Sequence, residues 1–266
     1  MKSRIGRKFE DLKRCNEKAL IPYITCGDPD MQTTIRLVLG LEKVGVAIVE
    51  LGIPYSDPLA DGPVIQRASQ RALRNHINID NIFDMISKLR EQSEIPLIFL
   101  VYYNSVFRYG IDRFLENCVK NGIDGLVIPD LPLEERQCLY EQMNAYPLDL
   151  IPMVAPTSEE RIKEIVQMGS GFVYCISSKG VTGARSSFDD NLISFMEKVK
   201  KYSTIPTVIG FGISSEEAVK KLKGLSDGLI VGSSIIEKIE AGIQKGKIEE
   251  NVFEFTKQLQ EALKNE

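Results

Sequence analysis

Short apolar runs recur along the chain about every thirty residues, the length of one strand–helix unit. That recurrence restricts the possible fold more than any other feature. The runs are ALIPYIT (19–25), VAIVEL (46–51), PLIFLVY (96–102), GLVIP (125–129), LDLIPMV (148–154), GFVYCI (171–176), PTVIGF (206–211) and DGLIVG (227–232). Each has the length of a buried strand, and several are rich in Val and Ile. They are close to continuously apolar rather than alternating. Parallel strands look like this when helices cover one face and a packed interior covers the other.

Amphipathic segments separate the runs. In TSEERIKEIVQM (157–168), Thr157 and Glu160 form a capping-box pattern ahead of Ile162, Ile165 and Val166 at helical spacing. In SSEEAVKKLKG (214–224), Ser214 is placed to cap toward Glu217, Ala218 and Leu222 face inward, and Gly224 suits the end. The segment 31–45 ends in the same way at Gly45, and further helices are expected at 80–92, 111–121, 132–145, 190–201 and 249–264, with another near 2–16. Eight strand–helix units predict an α/β fold, a (β/α)8 TIM barrel with an extra N-terminal helix. A doubly wound open sheet would carry a Gly-rich fingerprint after the first strand, and TCGDPD (25–30) is not one. No Pro/Gly/Ser linker or charge run marks a boundary, so one domain is expected over 1–266.

Composition then narrows the class of function. The 266 residues are 43% hydrophobic and 26% charged, as for a globular core. The 33 Lys and Arg against 37 Asp and Glu give a net charge of −4, which predicts no affinity for nucleic acid or for an anionic membrane. Any phosphate must therefore be captured locally. The five cysteines (15, 26, 118, 138 and 175) form no C-x-x-C pair and read as reduced thiols in a cytoplasmic protein. His76 is the only histidine and has no partners at metal-ligand or triad spacing, so no metal is expected. The N-terminus is charged rather than apolar, unlike a signal peptide, and no run is long enough to span a membrane.

In a barrel of this kind, reactive groups sit at the C-terminal ends of strands. Glu50 lies there, in VELGIPYSDPLADGP (49–63), and shares a side with Ile48 and Gly52. If that side is the interior, Glu50 is a carboxyl among aliphatic walls, with a raised pKa suited to giving and taking a proton. Otherwise it is a surface acid at a strand end, paired with a lysine. Asp57 and Asp61 follow in a loop stiffened by Pro54, Pro58 and Pro63, where Asp is also an ordinary turn former. Gly210-Phe211-Gly212-Ile213-Ser214 and Gly232-Ser233-Ser234 each open onto a helix N-terminus after the seventh and eighth runs. That is the usual phosphate position of the fold, although Ser214 and Ser233 are equally suited to plain capping. The segment SSKGVTGARSSF (177–188) is either a lid or a surface loop.

VELGIPYSDPLADGPVIQ, IPYITCGDPD, VYYNSVFRYG, GLVIPDLPLEE, SKGVTGAR, GFGISS and VGSS occur here in the order found in the tryptophan synthase alpha subunit family. The chain resembles that family from about residue 5 to its C-terminus. The resemblance implies a TIM barrel that cleaves indole-3-glycerol phosphate to indole and glyceraldehyde 3-phosphate, a lyase step of tryptophan biosynthesis. It implies Glu50 and Asp61 as catalytic residues. Tyr23 would line the indole pocket, Tyr174 would lie near the substrate, and Gly183, Gly212, Gly232 and Ser233 would bind phosphate. Thr182 would hydrogen-bond Asp61 as the lid closes. The implied partner is a beta subunit in an alpha2beta2 heterotetramer, docking where VYYNSVFRYG and GLVIPDLP emerge. Pyridoxal phosphate belongs to that partner, and this chain needs no cofactor. One departure stands in the lid: Ser177-Ser178-Lys179-Gly180 replaces the family's Arg and small residue before the Gly. Two rival readings are another phosphosugar barrel enzyme and a subunit kept only to activate its partner.

Overall fold

The Val- and Ile-rich runs pair as parallel strands: β1 (Ala19–Thr25), β2 (Val49–Gly52), β3 (Leu97–Leu100), β4 (Gly125–Val127), β5 (Asp149–Leu150), β6 (Met153–Val154), β7 (Val173–Ile176), β8 (Thr207–Gly210) and β9 (Gly228–Val231). The computed structural model describes residues 3–176, 188–210 and 212–264. The sheet runs in the order β5-β4-β3-β2-β1-β9-β8-β7-β6. Its two ends belong to one stretch of chain. Ile151 N donates to Leu126 O on one side (2.9 Å), and Pro152 O accepts from Tyr174 N on the other (2.8 Å). The barrel therefore closes through residues 149–154. The fifth run, expected as one strand, is split because Pro152 has no N–H to give to a ladder.

The helices are α1 (Arg4–Arg14), α2 (Met31–Val44), α3 (Pro63–Leu73), α4 (Ile79–Arg90), α5 (Tyr103–Tyr109), α6 (Ile111–Asn121), α7 (Leu133–Met143), α8 (Ile162–Gln167), α9 (Phe188–Tyr202), α10 (Glu216–Leu222), α11 (Ser233–Lys245) and α12 (Ile248–Lys264). Two of them, α3 and α5, lie in segments where no helix was expected. Two caps also differ from expectation. Pro156 starts a 3-10 turn over Pro156–Arg161, so Thr157 lies inside a turn rather than capping a helix, and α8 begins only at Ile162. Ser215, not Ser214, caps α10, accepting from Ala218 N (3.3 Å). Ser215→Ala is therefore expected to cost about 1 kcal/mol, and Ser214→Ala at an exposed position close to nothing. Paired urea unfolding curves of the two variants check this.

Alternation along the strands divides the apolar residues into two sets. One lies between sheet and helices. The other fills the barrel and includes Ala19, Ile21, Ile48, Ile98, Val127, Ile151, Phe172, Tyr174, Val208 and Ile230. The N-terminal helix completes this inner core: Ile5 and Phe9 join it, with the Phe9 and Phe172 rings 5.7 Å apart. Ser3 Oγ bonds Asp149 Oδ2 (2.5 Å) and Arg4 pairs with Asp124 (3.1 Å), seating α1 across the N-terminal end of the barrel. With that end plugged, the polar groups of the interior are left for the opposite rim.

Candidate active site

Ile48 is part of the inner core, and Glu50, two residues on, is 1% exposed. The surface-acid reading of Glu50 is thus excluded. Its Oε1 meets no hydrogen-bond partner among the described residues. Burial, and then the charge of Asp61, push its pKa up to about 8. Tyr23 pairs in register with Glu50 from β1, and Tyr174 enters from β7. Both phenols are buried, and both are held protonated, by burial first and then by the carboxylates. Two glycines make room for their rings. A Cβ on Gly52 would lie 2.0 Å from the Tyr23 hydroxyl, and one on Gly210 would lie 2.5 Å from the Tyr174 ring.

Asp61 ends the loop that follows β2. Its N–H donates to Pro58 O (3.1 Å), and its carbonyl accepts from Gln66 Nε2 (2.9 Å). Pro63, the third proline of the loop, is the first residue of α3, where its missing N–H costs nothing. Asp57 is exposed, and Leu59 N donates to its carbonyl (3.0 Å), so the turn reading suffices for Asp57. Asp61 instead is half-buried, and burial lifts its pKa to about 6 against a hydrogen bond from Tyr102 that lowers it. Between about pH 6 and 8 the site therefore holds one carboxylate, Asp61, beside one protonated carboxyl, Glu50.

On the other side of the same rim, Gly212 has φ +75° and open space where a side chain would stand. Gly232 precedes α11, and its carbonyl accepts from Ile235 N and Ile236 N (2.9 and 3.2 Å). The N–H groups of Ser233 and Ser234 thus come before the first intrahelical bond. No side chain caps this helix, so the capping reading of Ser233 does not hold. Ser234 Oγ donates to Ile213 O (3.0 Å) and ties the two turns together. The paired turns present backbone N–H groups to an anion, free of acceptors among the described residues. Thr182 and Gly183, with residues 177–187 of the expected lid (177–188), lie outside the described residues, and Phe188 already begins α9.

Sequence reasoning passed over Tyr102, which is buried and accepts a hydrogen bond from Ala60 N in the loop after β2. Strand parity could have found it. Ile98 and Leu100 pack toward the inner core, and Tyr102 continues the same alternation at the mouth.

The sequence model of the family described as tryptophan synthase alpha chain matches residues 9–265. The chain is 59% identical over 261 residues to the tryptophan synthase alpha chain of Alkaliphilus metalliredigens, covering 98% of each chain. It is 53% identical to that of Caldanaerobacter subterraneus, over 98% of this chain and all of the relative. Among solved structures, tryptophan synthase subunit alpha from Legionella pneumophila superposes with a TM-score of 0.91 at 33% identity, over the whole of both chains. A chain of Mycobacterium tuberculosis tryptophan synthase superposes at 0.89, with 32% identity and full coverage of both.

Proposed function

The chain belongs to the tryptophan synthase alpha chain family, the subunit that cleaves indole-3-glycerol phosphate, and from that premise we propose that Glu50 and Asp61 carry out the cleavage. Glu50, protonated at neutral pH, gives its proton to indole C3. The positive charge that develops at N1 is stabilised by the Asp61 carboxylate facing N1–H. The resulting Glu50 carboxylate takes the proton of the adjacent side-chain hydroxyl. The C–O bond becomes the aldehyde of glyceraldehyde 3-phosphate, the C3–carbon bond breaks, and its electron pair restores the aromatic ring. One proton leaves Glu50 and one returns, and no electrons are gained or lost overall. The step needs no redox or electron-sink cofactor, which supports reading this chain as cofactor-free, with pyridoxal phosphate in the beta subunit.

One observation carries the assignment: Glu50 is fully buried, with Oε1 unpartnered among the described residues, in a strand whose neighbours on that side are apolar. Tyr23 and Tyr174 enclose the ring-binding space beside it. Gly212, Gly232 and Ser233 take the phosphate through backbone N–H groups. Gly183 and Thr182 are assigned by the family resemblance alone. A crystal soaked with glycerol phosphate is expected to show the anion between Gly212 and Ser233. An anion bound elsewhere, with these turns empty, contradicts that part of the assignment.

The family works with a beta subunit, and we assign an alpha2beta2 assembly in the cytoplasm. Leu59 in the loop after β2 and Phe107 on α5 after β3, 86% and 64% exposed, stand on the rim where a partner would cover them. No helix among the described residues is long and apolar enough to cross a membrane. Closure of the sheet through residues 149–154 supports a single working domain. Indole release from indole-3-glycerol phosphate, measured with and without a beta subunit, tests the whole reading. A protein that binds and activates the beta subunit but releases no indole in either condition is a silent activating subunit instead.

A further inference from the structure

We propose that Tyr102 is the residue that positions Asp61 for the reaction, by clamping the loop after β2 from the side of β3; the inference rests on the assignment of Asp61 above. Tyr102 lies two residues beyond the end of β3 and directly before α5. Its ring is buried and stacks on Tyr55 at the start of the loop, with centroids 5.0 Å apart and planes at 24°. Its hydroxyl accepts from Ala60 N near the end of the loop (3.0 Å). Asn104, two residues on, donates from Nδ2 to the Tyr55 hydroxyl (3.0 Å). One short segment, 102–104, therefore holds the loop at both ends.

The hydroxyl is committed in a specific sense. Ala60 N–H occupies an acceptor position, so the single O–H proton is free to donate, and Asp61 is the adjoining carboxylate. That donation favours the ionised carboxylate and limits its rotamers. Burial opposes the charge on Asp61, and the titratable groups that face it, Glu50 on β2, Tyr23 on β1 and Tyr174 on β7, are themselves held protonated. Asp130, whose Oδ1 accepts from Tyr103 N (2.8 Å), adds negative charge near Tyr102. None of these acids or phenols offers Asp61 a positive partner. Tyr102 is thus the donor that keeps Asp61 charged and aimed inward. Its removal leaves the carboxylate in a half-buried site with the cost of burial unopposed.

The test is Tyr102→Phe, which keeps the ring and its stacking and removes only the hydroxyl. In the alpha–beta complex, kcat for indole release is expected to fall about tenfold, as for loss of a hydrogen bond to a charged group. KM should change little. Activity that needs the Asp61 carboxylate rises with pH as Asp61 loses its proton. The acidic limb of the pH–rate profile should therefore move to higher pH in the variant. The 13C shift of the Asp61 carboxyl in the ligand-free protein should titrate later to match. A merely structural role would lower activity at every pH without moving the limb or the carboxyl titration. An unmoved limb with kcat within about twofold of wild type, while Asp61→Asn is inactive, overturns the role of Tyr102 and leaves Asp61 standing. Full activity in Asp61→Asn overturns the reading of Asp61, and this inference with it.

Discussion

Replacement of Glu50 by Gln is expected to lower indole release by about 10²–10⁴-fold while leaving the affinity for glycerol phosphate unchanged. The amide fills the same volume at the end of β2 but has no exchangeable acid proton. It can neither protonate indole C3 nor accept the hydroxyl proton. If phosphate is taken by the turns at Gly212 and Gly232, as proposed, Glu50 plays no part in its capture, so binding and turnover should separate. In the wild-type protein, the profile of kcat/KM against pH should be bell-shaped. Its acidic limb lies near Asp61, at about 6, and its basic limb near Glu50, at about 8. The two carboxyls interact, so these limbs belong to the pair: Asp61 ionises first, and its charge then holds the proton on Glu50. Retention of more than about a hundredth of the wild-type kcat in Glu50→Gln contradicts acid–base work by this residue.

The same substitution is expected to raise stability, and increasingly so with pH. In the unfolded chain Glu50 ionises near its ordinary value of 4.5, but in the folded protein burial pushes this up to about 8. Below 4.5 both states are protonated and the group contributes no penalty. Between the two values the unfolded state loses its proton and the folded state keeps it, so folding is progressively opposed. Above about 8 the penalty is complete. A gap this wide between the folded and unfolded values corresponds to roughly a few kcal/mol. Gln carries no such dependence, and any fixed cost of burying its amide cancels when two pH values are compared. The difference in urea midpoint between Glu50→Gln and wild type should therefore widen in favour of the variant from about pH 5 to about pH 9. A difference that stays constant would mean that Glu50 is solvated in the folded protein. Activity and stability are opposed at this one position, as expected of a charge-bearing group held in an apolar wall.

The barrel was legible because its determinants are local. A strand buried on both faces must be apolar throughout, and a covering helix must be apolar on one stripe, so eight repeats of that pair leave few alternatives. The missed helices show the limit of such patterns. The residues that α3 buries are Ile65, Ala68, Ser69 and Ala72, too small to make a clear apolar stripe, and α5 is only seven residues long. The capping errors have a related origin. A one-residue shift from Ser214 to Ser215 leaves the sequence pattern almost unchanged, whereas the cap is decided by which backbone turns first. The split between β5 and β6 depends on Pro152, whose consequence appears only when β4 and β7 approach from opposite sides.

Spacing along single segments was enough to establish the repeat of strand and helix, the side of β2 that Glu50 shares with Ile48, and the placing of two glycine turns at the last two strands. Periodicities of 2 and 3.6 act within a segment, so these features could be read without the fold. The assembled barrel was needed to establish that this side of β2 faces the interior, that Asp61 rather than Asp57 turns toward Glu50, and that Tyr102 reaches the loop to hold it there. Those outcomes depend on groups from β1, β2, β3 and β7 meeting at one rim. The physical reason is that burial and electrostatic fields are summed over neighbours in space. The protonation of Glu50 is accordingly a property of the closed barrel rather than of the segment that carries it.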